Sequence, residues 1–495
     1  MEDRRLRTIA IVGGGMAGSM AAAALSRLLK SSYCEVVLVT RPQASEFPSE
    51  AAIPALQRFH NLLGIDEDDF IRNSDTTFSL GVEFRDWAKI GDRYFHTFCA
   101  FGGVIASVPF QHYWRKFRAL GDTRDIGDYS IATAAAELRR FARPVKDNRS
   151  VLSLYSHAFH FDSALCARTL RTYAAARGAR VVDGEVVGAE ERAEDGFIER
   201  LILADGRRVE ADFFIDCTDG LLIERVLKTG HEDWSPWLPC DRAVSVATEM
   251  GADVPVCAVA KAEPAGWRRT LPLRTRFDHT YFYSSAALDD GDAAGELIRS
   301  VGGGQPRHFR FRNSRPRQFW NRNCVALPGA FLEPLEANAI HMIQTGILKF
   351  VSTFPDRNAD PSHADEYNRL TIMETERIRD FLILHYALTE RTDSEFWNRC
   401  RKMALPDSLR HKIDLFAGSG RVNMLDNEHF GEQSWISVFL GQNLIPTHYD
   451  PLADVPDTED IRRRLSGMAA AIAQAAQSLP THREYLAGIL KQAAA

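Results

Sequence analysis

IVGGGMAGSMAAAAL, residues 11–25, decides the fold class. It reads as the end of an apolar strand, a Gly-rich turn and the opening turns of an Ala-rich helix. The spacing is Gly13-x-Gly15-x-x-Gly18. Gly13 permits the tight turn, Gly15 lets backbone N–H groups approach a pyrophosphate, and Gly18 lets helix and strand pack closely. The helix N-terminus, with Ala17 in its first turn, offers free N–H groups and partial positive charge to phosphates. An ordinary glycine turn has no need of the apolar strand Thr8 to Val12 before it and the Ala-rich helix after it. The stretch therefore predicts a dinucleotide-binding unit. Residues 34–40 (CEVVLVT) supply a second apolar strand at the distance that closes a βαβ unit. The end of that strand usually carries an acid for the ribose. Here the place is Thr40, followed by Arg41-Pro42, a departure from the pattern.

A chain of 495 residues buries a large core in one or two domains. The net charge of −6 gives no electrostatic reason to expect nucleic acid or an anionic membrane. The eight cysteines form no C-x-x-C pair, so they read as reduced, mostly buried thiols rather than metal ligands. His160 and Asp162 form an H-x-D without a third ligand and read as fold residues. The charged start leads straight into a strand, and no apolar run reaches transmembrane length. The expectation is a cytoplasmic protein.

Residues 179–217 alternate as a strand meander with Asp205-Gly206 at a hairpin turn, and Phe213 to Cys217 reads as a doubly buried strand. Residues 240–325 are strand-like, with an acidic loop at Asp289 to Asp292. Asn338 to Phe354, Ser362 to Leu388 and Asp457 to Ala495 read as helices, the last broken at Pro480. The domains expected are a cofactor-binding core over 1–355 with inserted substrate-binding elements, and a mainly helical region over 356–495.

Several segments together resemble the flavin-dependent tryptophan halogenase family. Besides the glycine box they are residues 50–70 (EAAIPALQRFHNLLGIDEDDF), 77–87 (TFSLGVEFRDW), 91–98 (GDRYFHTF), 160–170 (HFDSALCARTL), 205–217 (DGRRVEADFFIDC), 265–276 (AGWRRTLPLRTR), 331–345 (FLEPLEANAIHMIQT) and 434–454 (SWISVFLGQNLIPTHYDPLAD). They run nearly end to end and in order. The resemblance implies an α/β, Rossmann-like fold of the glutathione-reductase type found in flavin monooxygenases, with a mixed-strand substrate region and a helical C-terminal region. It implies FAD, reduced by a separate flavin reductase, an aromatic substrate (a small molecule or a Trp-containing peptide), and a homodimer as a common assembly.

In the family, reduced FAD and oxygen oxidise bound halide to hypohalous acid, which reaches a lysine beside the indole. That lysine's position is here Ser79, within Thr77-Phe78-Ser79-Leu80-Gly81. A serine hydroxyl has neither cation nor amine. It either fills vacated space or bonds to a different substrate. The family's glutamate matches Glu336, readable as a catalytic base or as a carboxylate at a helix start. The family's S-T-G halide site is here Ala337-Asn338-Ala339, without hydroxyl donors. Its W-x-W-x-I-P is Trp267-Arg268-Arg269-Thr270-Leu271-Pro272, with one tryptophan replaced by Arg269. That replacement opens a route for direct oxygenation, unless Arg269 simply faces solvent or pairs with an acid. His96 and Phe98 match a His-x-Phe that stacks on the indole, or are core aromatics.

The FAD loops drift as well. Phe47-Pro48-Ser49-Glu50-Ala51-Ala52-Ile53-Pro54 stands for G-V-G-E-A-T-I-P and keeps Glu50 while losing two glycines. Cys217 to Gly220 and Leu327 to Phe331 look altered. Three readings follow. The leading one is a monooxygenase-type flavoenzyme acting on an indole or another aromatic. The alternatives are a non-catalytic homologue that binds an aromatic ligand or partner, and a true tryptophan halogenase.

Overall fold

The computed structural model describes residues 4–41, 47–147, 149–330 and 332–492. The chain forms two compact units, each assembled from three segments. The first contains residues 1–76, 161–241 and 309–376; the second contains 77–160, 242–308 and 377–495.

In the first unit the strands Thr8–Val12 and Glu35–Thr40 are apolar and almost wholly buried. That suits a parallel strand covered on both faces. They pair in parallel, Ile9 opposite Val36 and Ile11 opposite Leu38. Phe213–Asp216 joins the other side of the first strand, Ile9 opposite Phe213. Arg180–Asp183 lies beyond Glu35–Thr40, while Cys324–Ala326 and the antiparallel edge Trp320–Asn321 lie beyond Phe213–Asp216. The result is a six-stranded Rossmann-like sheet. The helix Met16–Leu28 follows the glycine turn and buries its run of alanines, packing on the helices Ser163–Ala175 and Asn338–Ser352. Only small side chains allow three helices to approach so closely over one sheet. Asp162 caps Ser163–Ala175 by accepting from Leu165 N–H at 2.7 Å, the fold role expected of it.

The meander is present as Val186–Glu191, Ile198–Leu203 and Arg208–Glu210, a separate three-stranded sheet. Gly206, at φ 85°, makes its turn. The expected strand near residue 180 divides, with Arg180–Asp183 entering the parallel sheet and Val186–Glu191 opening the meander.

The second unit is organised by a mixed sheet. Six of its seven strands run in spatial order Arg242–Glu249, Arg276–Tyr283, Gly266–Pro272, Ala258–Glu263, Gly81–Arg85 and Arg93–Thr97. Gly81–Arg85 is parallel to Ala258–Glu263 and the other neighbours are antiparallel. One face carries Trp267, Arg269 and Leu271, all buried. Asp289 to Asp292 is not the loop that was expected. Asp289 accepts from Gly291 N–H and Asp292 N–H and so caps the helix Asp290–Val301. An acid-rich start favours a helix N-terminus because it faces the positive end of the macrodipole. That helix lays Ala293, Ala294 and Leu297 on Val244, Val246, Tyr281 and Tyr283. The C-terminal helices are Thr458–Ser478 and His482–Gln492, separated at Pro480 as predicted. All eight cysteines are free, and all except Cys217 are buried.

Candidate functional site

The first unit holds a cavity of about 610 Å³, within the ~300–1,000 Å³ usual for small-molecule and cofactor sites. It opens beyond the C-terminal ends of the parallel strands, the place where open α/β sheets bind ligands. Gly13, Gly15, Ala17 and Glu50 all line it. Gly18 does not; its role is close packing, since a Cβ there would lie 1.7 Å from the Gly13 carbonyl oxygen. Gly13 has φ 113°, and a Cβ on Gly14 would lie 1.7 Å from Thr40 Oγ1. The turn is held in shape from behind. Gly13 N–H donates to the Val39 carbonyl at 3.0 Å, while Arg171 Nη1 and Ser19 Oγ donate to the Gly14 carbonyl at 2.7 and 3.1 Å. The helix cap is Gly15, and the first turn carries no acid. This cradle fits a pyrophosphate, whose charge the helix N-terminus favours.

An acid stands at the neighbouring strand end instead of at Thr40. Glu185, just past Arg180–Asp183, lines the same cavity and pairs with Arg41 at 3.1 Å. The dinucleotide pattern puts its carboxylate at the end of the second strand; the parallel register places another strand end alongside it. On the opposite side Asp216 is buried and shapes the turn after its strand, accepting from Thr218 N–H, Leu222 N–H and Ile223 N–H at 2.7–3.0 Å. The residues present fit a flavin adenine dinucleotide.

Glu336 belongs to the first unit and is 2% exposed. Next to it Ala337 has φ 55° and caps the helix Asn338–Ser352 without a side-chain hydrogen bond. Asn338 is fully buried; its Nδ2 donates to the Glu333 carbonyl at 3.5 Å and its Oδ1 has no partner among the described residues. Phe331 lies outside the described residues.

Ser79, His96 and Phe98 belong to the second unit. Ser79 is 2% exposed, and its Oγ donates to the Gly81 carbonyl at 3.3 Å. The strands bring the three segments together: Val82 lies opposite His96, and Phe98 N–H donates to the Leu80 carbonyl at 3.2 Å. His96 is buried beside Phe381 and Phe430, with ring centroids 5.7 and 6.3 Å away. Those two phenylalanines stack at 3.9 Å. Neither was singled out from sequence, because they come from segments far from His96 along the chain. Trp267 stacks on Phe282 at 4.4 Å, and the Arg269 guanidinium lies 5.4 Å over the same ring. Arg269 is 4% exposed, so the expectation that it could face solvent fails.

Thr77 Oγ1 donates to the Pro272 carbonyl at 2.6 Å and accepts from His160 Nδ1–H at 3.3 Å. Burial, with the nearby charges of His482 and Arg269, pushes its pKa down to about 3. It is a neutral ring in the strand framework.

The family model for tryptophan halogenase matches residues 8–458. Tryptophan 6-halogenase ThaL of Streptomyces albogriseolus is 31% identical, over 85% of this chain and 84% of that protein. Among solved structures, the flavin-dependent halogenase BrvH from Brevundimonas sp. BAL3 is 39% identical with a TM-score of 0.94, over 98% of this chain and 100% of its own. Xcc4156, a flavin-dependent halogenase from Xanthomonas campestris, is 40% identical with a TM-score of 0.93, over 98% of this chain and 99% of its own. Among the described residues no helix is long and apolar enough to cross a membrane.

Proposed function

Because the chain belongs to the tryptophan halogenase family of FAD-dependent enzymes, we propose that it is a flavin-dependent oxidoreductase that oxygenates an indole or another aromatic, using FAD reduced by a separate reductase. One observation carries the oxygenase reading. The position that holds a lysine in the family's motif is Ser79, and its hydroxyl is engaged with the Gly81 carbonyl. A neutral hydroxyl cannot form a haloamine, and it offers no cation to polarise hypohalous acid.

Reduced FAD with oxygen supplies a two-electron oxidant. In the overall change one atom of O2 would enter a ring C–H bond and the other would leave as water, taking up the two electrons of the reduced flavin. The glycine cradle and the end of helix Met16–Leu28 would hold the pyrophosphate. His96 and Phe98, which match the family's His-x-Phe, are the residues we assign to the ring. Glu336, buried at the start of a helix, is the residue we assign to take the proton released when the ring regains aromaticity.

A non-catalytic binder is disfavoured by the intact cradle, in which a Cβ on Gly13 or Gly14 would meet Cys217 or Thr40 within 3 Å. Halogenation is the second reading, supported by the 39–40% identity to flavin-dependent halogenases. Titration of the purified protein with FAD tests the shared premise. Saturable binding supports both readings, and failure to bind rejects both.

A further inference from the structure

The FAD cavity has an aromatic wall that the fold does not require. Phe47, Phe309 and Phe311 all line it. The Phe47 ring centroid lies 4.9 Å from that of Phe309, tilted by 43°, and 6.5 Å from that of Phe311, close to edge-on. All three are partly exposed. Rings left partly open inside a cleft are apolar surface suited to a flat partner.

The strand order says which half of the dinucleotide they face. Thr8–Val12 and its glycine turn lie between Glu35–Thr40 on one side and Phe213–Asp216 on the other. The ribose side of such folds is the end of the second strand, here marked by Arg41 and Glu185. The aromatic wall belongs to the opposite side. Arg312, next to Phe311, pairs with Asp219 at 3.3 Å and with Glu224 at 2.8 Å, and both acids follow the Phe213–Asp216 strand. The Asn338–Ser352 helix also meets the cavity there, through Ala339, Ile340 and Ile343.

We infer that Phe47 and Phe309, with Phe311 behind them, form a stacking surface for the tricyclic flavin ring, so that binding energy lost with the loop glycines is recovered by ring contact. This rests on the FAD reading above. It makes the two residues selective for the flavin half of the cofactor and indifferent to the adenosine half.

The experiment is calorimetric titration of the full-length protein and of Phe47→Ala, Phe309→Ala and Phe309→Leu with two probes, FAD and ADP. ADP carries the adenosine and pyrophosphate without the flavin. Each variant is expected to bind FAD about tenfold more weakly or worse, with ADP affinity within about twofold of the parent. Phe309→Leu keeps apolar volume and loses only the flat face, so its behaviour separates stacking from simple packing. Equal loss of both ligands, or FAD affinity unchanged in all three variants, would overturn the inference. Failure of the parent itself to bind FAD would instead reject the FAD reading.

Discussion

The Ser79 hydroxyl donates to the Gly81 carbonyl oxygen two residues along its own chain, at 3.3 Å. The bond is local and the residue is buried, so the hydroxyl is satisfied without any ligand. Its removal should therefore matter little. Ser79→Ala should cost about 0.5–1.5 kcal/mol of stability and leave FAD affinity and product unchanged. Thermal melting and product analysis check this. A large loss of turnover in the alanine variant would mean that Ser79 touches substrate.

Glu336→Gln should keep the fold and FAD affinity while turnover falls about 10²–10⁴-fold, the range for loss of a general base. Single-turnover kinetics with pre-reduced FAD would read it. Turnover within about twofold of the parent would leave Glu336 with a structural role only.

Gly18→Ala forces a methyl group to within 1.7 Å of the Gly13 carbonyl oxygen. The helix cannot stay on the strand, and the phosphate cradle opens. FAD affinity should fall by about tenfold or more, with a lower melting temperature.

Acid should destabilise the second unit through two rings. His482 Nε2 accepts Phe78 N–H at 3.2 Å, and its Nδ1 faces the Pro255 carbonyl at 3.0 Å. That pattern requires a neutral ring with its proton on Nδ1. Burial lowers the pKa of His482 from 6.5 to about 4 and that of His160 to about 3. Since the unfolded chain takes up protons first, their contribution is complete above about pH 6.5 and is lost as the pH falls toward 4. Each ring adds a slope of up to about 1.4 kcal/mol per pH unit. Denaturant midpoints between pH 7 and 5 should show the decline, and His482→Gln should flatten it. A flat profile in the parent would contradict the account.

The parallel sheet and the cofactor cradle were legible in sequence because they depend on local spacing: an apolar strand, Gly13, Gly15 and Gly18, and a small-residue helix. The capped helix at Asp290 was not, because acids at a helix start and acids in a loop have the same composition, and only the Asp289 cap bonds distinguish them. Glu185 escaped notice because its place beside Arg41 depends on a strand joining the sheet from far along the chain. Phe309 and Phe430 were hidden for the same reason. Their partners Phe47 and Phe381 are remote in sequence, and no periodicity records such a meeting. The alternation of the chain between two units is equally invisible to local spacing.

The most direct test is product analysis. The unmodified protein would be incubated with FAD, a flavin reductase, NADH, oxygen, bromide and an indole, and the products separated by mass. An indole that has gained one oxygen atom, with no carbon–bromine bond, is the result the absence of an ammonium at position 79 predicts. A brominated arene formed faster than free hypobromite makes it in the same buffer would contradict the account.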